Sequence, residues 1–264
     1  MRESFLPRIV IAAAAVAIAV SEPAFAAEPS GTALAVIQST NVEGQGGTQI
    51  LKVSAPVYSG DRVKTGSGGQ AQLMFRDETK LVIGPNSSLL IDSFVFNPNN
   101  TARSFSINAV KGTFRFITGV SPKNAYSIKT PTATIGVRGT QFDVSIVNGI
   151  TNFALYEGGA RVCNKQGQCV DLEGACRVAV IPAQNTIQRL SKSAATTQFL
   201  TANFPYAWSQ NRLLPQFRVE TSSCGAFGSQ PSPGGLSPGG APTPPPSGGG
   251  GDGGGDGGGN GGDG

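Results

Sequence analysis

Between Ile128 and Val144, β-branched residues recur with a period of two, and the run is broken by Pro131, Gly136 and Gly139. Branched side chains suit a pleated, half-buried surface. Proline cannot donate to a ladder, and glycine marks a bend or a close backbone approach. The segment has no His, Cys or Ser to serve as a nucleophile. It predicts strands that turn at fixed corners, and it favours a rigid all-β module over a catalytic cleft.

The same texture fills most of the chain. Ala71, Leu73 and Phe75 alternate with Gln72, Met74 and Arg76, and Asp77-Glu78 turns into a return strand through Thr79, Leu81 and Ile83. Gly84-Pro85-Asn86 breaks that strand, Asn97 to Asn100 form a strong turn signal, and Lys111-Gly112 bends the chain. Asn148-Gly149 is a two-residue hairpin signature, and Glu157-Gly158-Gly159 turns once more. Turn signals every 8–12 residues predict about ten to twelve short strands, in a compact sandwich or roll or a short β-solenoid. Phe199, Leu200, Phe204 and Trp208 predict one helix within 191–211, interrupted by Pro205. The chain divides into a leader (1–26), a lead-in (27–47) with one strand over Thr32 to Gln38, a β domain (48–182) and an appendage (183–228). The Pro/Gly/Asp-rich tail (229–264) cannot bury apolar surface and is expected to be disordered.

Compartment follows from the leader. Arg2 and Arg8 precede an apolar run from Ile9 to Val20, and Ala24-Phe25-Ala26 places small residues ahead of Ala27. This is the pattern of a cleavable export signal. The run has 12 residues, short of the roughly 20 that span a bilayer. No later segment is apolar enough to cross, so a soluble periplasmic or extracellular protein is expected, with no transmembrane segment in the mature chain. Four cysteines in an exported chain suggest two disulfides. Cys163 and Cys169 flank a polar hairpin tip, which favours Cys163–Cys169 with Cys176–Cys224 among the three possible connectivities. A bridge across facing strands would require some local tightening. A zinc site is disfavoured, because there is no Cys-x-x-Cys pair and no His.

The net charge is +4, and the three Asp of the tail leave +7 on the part between leader and tail. That modest excess reads as an ordinary solvated surface, and nucleic-acid binding is not expected. No metal or other cofactor is expected. The Gly/Asp tail lacks the nonapeptide repeat of a calcium β-roll. Without His, imidazole catalysis is excluded, and Asp77-Glu78 at a turn caps backbone more readily than it shares a proton. No group of residues meets the geometric requirements of an active site, so no enzymatic activity is expected.

A family resemblance rests on residues in a fixed order. These are Gly60-Asp61-Arg62-Val63-Lys64-Thr65-Gly66, then Leu73 to Asp77, Leu81 to Ser87, Val110-Lys111-Gly112, Ile128 to Phe142 and Leu155-Tyr156-Glu157-Gly158. Over about residues 57–165 the chain resembles the FecR domain. The resemblance implies an extracytoplasmic module of the kind that inner-membrane transducers use to receive a signal from an iron-siderophore transporter and govern a sigma factor. Here export is expected to begin at residue 1, so direct sigma-factor control is not expected to carry over. Gly60, Asp61, Glu157 and Gly158 are expected at tight turns, and Thr130-Pro131 at a strand end. Gly136, Gly139 and Thr140 frame a corner at Arg138. Arg138 has two readings: a cation for a carboxylate or phosphate ligand, or a structural partner of a nearby carboxylate such as Asp143, the latter favoured. Three functions follow. The first is a binding, sensing or scaffold module for an envelope protein or glycan. The second is a surface-presented structural protein with the tail as a flexible spacer. The third, and weakest, is a carbohydrate-active enzyme using carboxylates.

Overall fold

The computed structural model describes residues 28–184, 186–191 and 193–224. The leader and the tail, with the expectations attached to them, lie outside the described residues. Strands β1 (Gly31–Ile37), β2 (Thr40–Gly44), β3 (Gly47–Ile50), β4 (Pro56–Val57), β5 (Arg62–Thr65) and β6 (Gln70–Phe75) come first. They are followed by β7 (Lys80–Ile83), β8 (Ser88–Phe96), β9 (Ala102–Ile117), β10 (Tyr126–Lys129), β11 (Ala133–Val137) and β12 (Gln141–Val147). The last are β13 (Ile150–Glu157), β14 (Gly159–Asn164), β15 (Cys169–Glu173), β16 (Arg177–Ile181) and β17 (Gln188–Leu190). Helices α1 (Ala194–Asn203) and α2 (Pro205–Trp208) follow, and 3-10 turns at Pro215–Phe217 and Ser222–Cys224 close the order.

The strands build two sheets. Sheet A runs β4-β1-β6-β7-β9-β12-β13-β16-β17. Sheet B runs β3-β2-β5-β8-β9-β10-β11-β14-β15. Every pairing is antiparallel except β9 with β10. The long strand β9 belongs to both sheets: residues 102–111 pair with β8 in sheet B and residues 112–117 pair with β7 and β12 in sheet A. The crossing falls at Gly112, whose φ of +101° is open to glycine at no steric cost. A Cβ there would lie 2.0 Å from Ser87 Oγ. Through β9 all seventeen strands form one continuous ladder folded onto itself.

One apolar core fills the space between the sheets. Phe75, Leu81, Phe114, Phe116, Phe142 and Phe153 come from sheet A, and Phe94, Phe105, Ile107, Ile128, Ile135 and Val162 from sheet B. Aromatic contacts cross the interface, with Phe75 edge-on to Phe105 at 4.9 Å between ring centres. The all-β expectation thus resolves to a sandwich, with more strands than the ten to twelve read from alternation. The additional ones are edge or near-edge strands such as β3, exposed at every residue, and β17, exposed at two of its three. With no buried face they show no alternation. The lead-in also supplies strands: β1 lies between β4 and β6, and β2 pairs with β5, so the sheets begin ahead of residue 48.

The outer face of sheet A is covered by the appendage. β17 extends the sheet, and α1 and α2 lay Leu200, Phe204 and Ala207 on Ala154, Tyr156 and Val178. Tyr206, Leu213 and Phe217 pack on Val82. Ser193 caps α1 by accepting a bond from the Thr196 N–H, and the helix stops before Pro205, which occupies the first turn of α2.

Candidate binding site at the sandwich edge

Most signature residues hold corners where the chain passes between sheets. Thr65 Oγ1 donates to the Gly84 carbonyl at 2.6 Å and accepts the Ser87 N–H at 2.9 Å, while Ser87 Oγ accepts the Thr113 N–H at 3.0 Å. The segments 60–66, 84–87 and 110–113, distant in sequence, are therefore one knot. A second knot gathers Thr130, Thr132 and Thr151. Thr130 directly follows β10, and its Oγ1 accepts the Ala133 N–H at 2.9 Å. Thr151 Oγ1 donates to Thr130 Oγ1 at 2.8 Å, and Thr132 Oγ1 donates to the Ile181 carbonyl at 2.8 Å. Pro131 lies in the turn these residues lock.

Gly139, Thr140, Glu157 and Gly158 form a third corner. Gly158 has a φ of +81°, and a Cβ there would lie 1.9 Å from the Gly139 carbonyl oxygen. Thr118 Oγ1 accepts the Thr140 N–H at 2.8 Å. Gly136 is in β11 opposite Arg161. Arg138 is exposed, and its N–H bonds the Gly159 carbonyl at 2.8 Å. The expected pairing of Arg138 with Asp143 is corrected, because Asp143 is fully buried and its carboxylate is held by Arg115.

Arg115 was not singled out in the sequence. It sits on the outer face of β9 between Phe114 and Phe116, and the appendage buries it completely. Nε donates to Asp143 Oδ1 at 2.7 Å, and Nη2 donates to Asp143 Oδ2 at 2.9 Å and to the Tyr206 carbonyl at 2.7 Å. Nη1 donates to Gln210 Oε1. Tyr156 donates to Asp143 Oδ2 at 2.9 Å. Burial holds the Tyr156 hydroxyl well above the usual phenol range, with the Asp143 charge adding to the effect. Burial raises Tyr206 in the same way. A second buried carboxylate, Asp77, accepts from Ser121 Oγ at 2.7 Å, Tyr126 OH at 2.8 Å and Thr79 Oγ1 at 2.9 Å. Both clusters are closed and fully bonded, which is the condition for a buried polar group to stabilise a core.

Both cysteine pairs are bridged as expected. Cys163 and Cys169 face each other across β14 and β15 with Cα atoms 4.0 Å apart, the tightening that a cross-strand bridge requires. Cys176 and Cys224 join with Cα atoms 5.0 Å apart, tying the end of the appendage to the start of β16.

The remaining signature carboxylate behaves differently. Asp61 follows Gly60, whose φ is +92°. Its Oδ2 accepts the Tyr58 N–H at 2.8 Å. Oδ1 accepts no bond from any described residue and lies against Gly44, where a Cβ would come within 2.1 Å. Asp61 is 7% exposed. Burial raises its pKa above the ordinary carboxylate value, partly offset by the Tyr58 N–H. It lines a cavity of about 440 Å³ between the β2–β3 hairpin and the 55–61 segment. That is the open end of the sandwich, where β3 ends sheet B and β4 ends sheet A. Val42, Ile50, Leu51 and Pro56 supply apolar wall, Gln45 and Gln49 amides, and Tyr58 and Ser59 hydroxyls. Among the described residues no Lys or Arg lines it.

Residues 61–161 match the FecR protein family. Two crystal structures of a "putative anti-sigma factor" from Parabacteroides distasonis align with TM-scores of 0.41 and 0.43 at 14% and 15% identity. They cover 52% and 57% of this chain and 64% of each of theirs, so the matched part spans less than two thirds of those proteins. A cell surface anchoring domain aligns at 31% identity with a TM-score of 0.22, over 23% of this chain and 82% of its own. No curated protein matches the chain. The likeness to the FecR protein family is thus carried by residues 61–161 of this chain.

Proposed function

We propose that the chain is a non-enzymatic, extracytoplasmic FecR-domain protein that binds a protein or glycan partner at the cell envelope and senses, relays or scaffolds it. The observation that carries this reading is the distribution of polar groups. The Arg115–Asp143 and Asp77 clusters are consumed in holding the scaffold, whereas Asp61, in the wall of the edge cavity, presents an oxygen that has no partner among the described residues. Glycoside hydrolysis ordinarily uses two carboxylates, and among the described residues Asp61 is the only one lining this cavity. The two disulfides support an oxidising compartment, in agreement with the leader pattern at 1–26. Among the described residues no helix is long and apolar enough to cross a membrane. Arg138, exposed at the 136–140 corner, is a second contact point in this reading.

Photo-cross-linking in intact cells tests the proposal. A cross-linker at Ile50, beside the cavity, is expected to capture a discrete envelope partner, and one at exposed Val147 is not. Arg138→Ala is expected to weaken capture without lowering the melting temperature. Equal labelling from both positions, or fractionation of the chain with the cytoplasm, would overturn the reading.

A further inference from the structure

Three features of the edge cavity specify its occupant more narrowly than the binding reading on which this inference rests. The first is the single free acceptor. Tyr58 occupies Oδ2 of Asp61, so a guanidinium fork, which favours two carboxylate oxygens, is poorly matched. A compact ammonium needs only one. The second is charge. The lining holds one carboxylate and no cation, and the nearby Glu43 is already paired with Lys64 at 2.6 Å. A cationic group would therefore pair with the Asp61 oxygen that has no partner among the described residues. A divalent metal is a poor fit, because it requires several oxygen ligands and one free carboxylate oxygen supplies few of them. The third is the wall. Ile50 and Leu51 offer apolar surface to a methylene stem.

Beside the cavity, β3 is exposed along its whole length and, among the described residues, pairs only with β2. Ile50 is 71% exposed and Val53 56%. An unpaired edge presents a row of backbone donors and acceptors to an extended chain. We propose that the cavity receives the side chain of a lysine carried on an extended segment of a partner protein, its ammonium bonding Asp61 Oδ1 and its stem lying on Ile50 and Leu51.

The test uses the oxidised chain in solution, with backbone amide NMR shifts of Gly44, Gly46 and Gly47 as the readout. The probes are an acetylated, amidated Val-Lys-Val tripeptide, its norleucine counterpart, n-pentylamine and chitotriose. The lysine tripeptide is expected to shift these amides saturably and to bind at least ten-fold tighter than the norleucine peptide. Asp61→Asn, which keeps an acceptor for Tyr58, is expected to erase that preference. Ile50→Gln, at an exposed position, is expected to weaken both peptides several-fold. Equal binding of the two peptides, or a lysine preference that survives Asp61→Asn, overturns the inference. Tighter binding of n-pentylamine than of the lysine peptide overturns the protein origin of the ammonium, and saturation by chitotriose alone replaces it with a glycan. If no peptide binds while the cross-link at Ile50 persists, the lysine inference fails and the binding-module reading stands.

Discussion

Arg115 shows how an isolated residue can mislead. Along β9, Phe114 and Phe116 point into the core, so period-two logic places Arg115 in solvent. The structure buries it because residues from 194 onward fold back over that face. The available signal was a row of outward polar and aromatic positions (Gln70, Gln72, Arg115, Asp143 and Tyr156) facing a C-terminal segment rich in Phe and Tyr. Removing one partner of a buried pair strands the other charge. Arg115→Met or Asp143→Leu is therefore expected to cost about 3–5 kcal/mol in denaturant unfolding, and the double replacement less than the sum. Single losses under about 1 kcal/mol would show that the pair contributes little. Asp61 makes the opposite prediction. Its folded pKa is raised, so the native state binds a proton more readily than the unfolded chain and the charged carboxylate opposes folding at neutral pH. Asp61→Asn is expected to raise the melting temperature at pH 7. The gain should shrink as pH falls through the raised pKa and vanish below the unfolded value near 3.9. A lower melting temperature at pH 7 would count against Asp61 as a residue retained at a cost in stability.

Individual elements were legible where local chemistry dictates them. Asn148 and Gly149 have φ of 51° and 75°, the paired positive values of a tight hairpin, and they join β12 to β13 directly. Pro205 divides the C-terminal helix as its missing N–H requires. The sequence predicts a bend at Lys111-Gly112, but the strand runs on through it and changes sheet. Only long-range pairing reveals that, since β7, β8 and β12 set it from outside β9. Gly112→Ala combines an unfavourable φ with a clash at Ser87. A loss of about 1–3 kcal/mol is expected, and a variant as stable as the parent would remove Gly112 from its role as the crossing point. The appendage is an element of another kind, fastened at its end by Cys176–Cys224 across 48 residues. Loop-closure reasoning assigns that bridge about 4 kcal/mol. Replacing both cysteines with serine is expected to speed hydrogen exchange in α1 well before the strands beneath it. Unchanged exchange in α1 would show that packing alone holds the appendage.

At the scale of the molecule, the sandwich is finished on some edges and open on others. β17 extends sheet A and the Cys163–Cys169 bridge stiffens the β14–β15 end of sheet B, while the β3–β4 end keeps its cavity. The all-β class was legible from turn spacing, and the family from ordered motifs. The cavity was not, because it is made by two terminal strands whose adjacency depends on the entire pairing order. The sole tryptophan, Trp208, lies in the appendage and is 46% exposed, so its fluorescence reports that layer while far-ultraviolet dichroism reports the strands. In the oxidised protein the two signals are expected to melt together. With disulfides reduced, the fluorescence change is expected first. Separate transitions before reduction would mean that the appendage is an independent unit.

Because β9 serves as a rib for both layers, the polypeptide has no point at which it could be divided into two self-sufficient halves. Residues 28–117 alone would leave one flank of that rib bare in each layer, with β10 and β12 missing. Both flanks of the rib are complete only once β12, which ends at Val147, has been added.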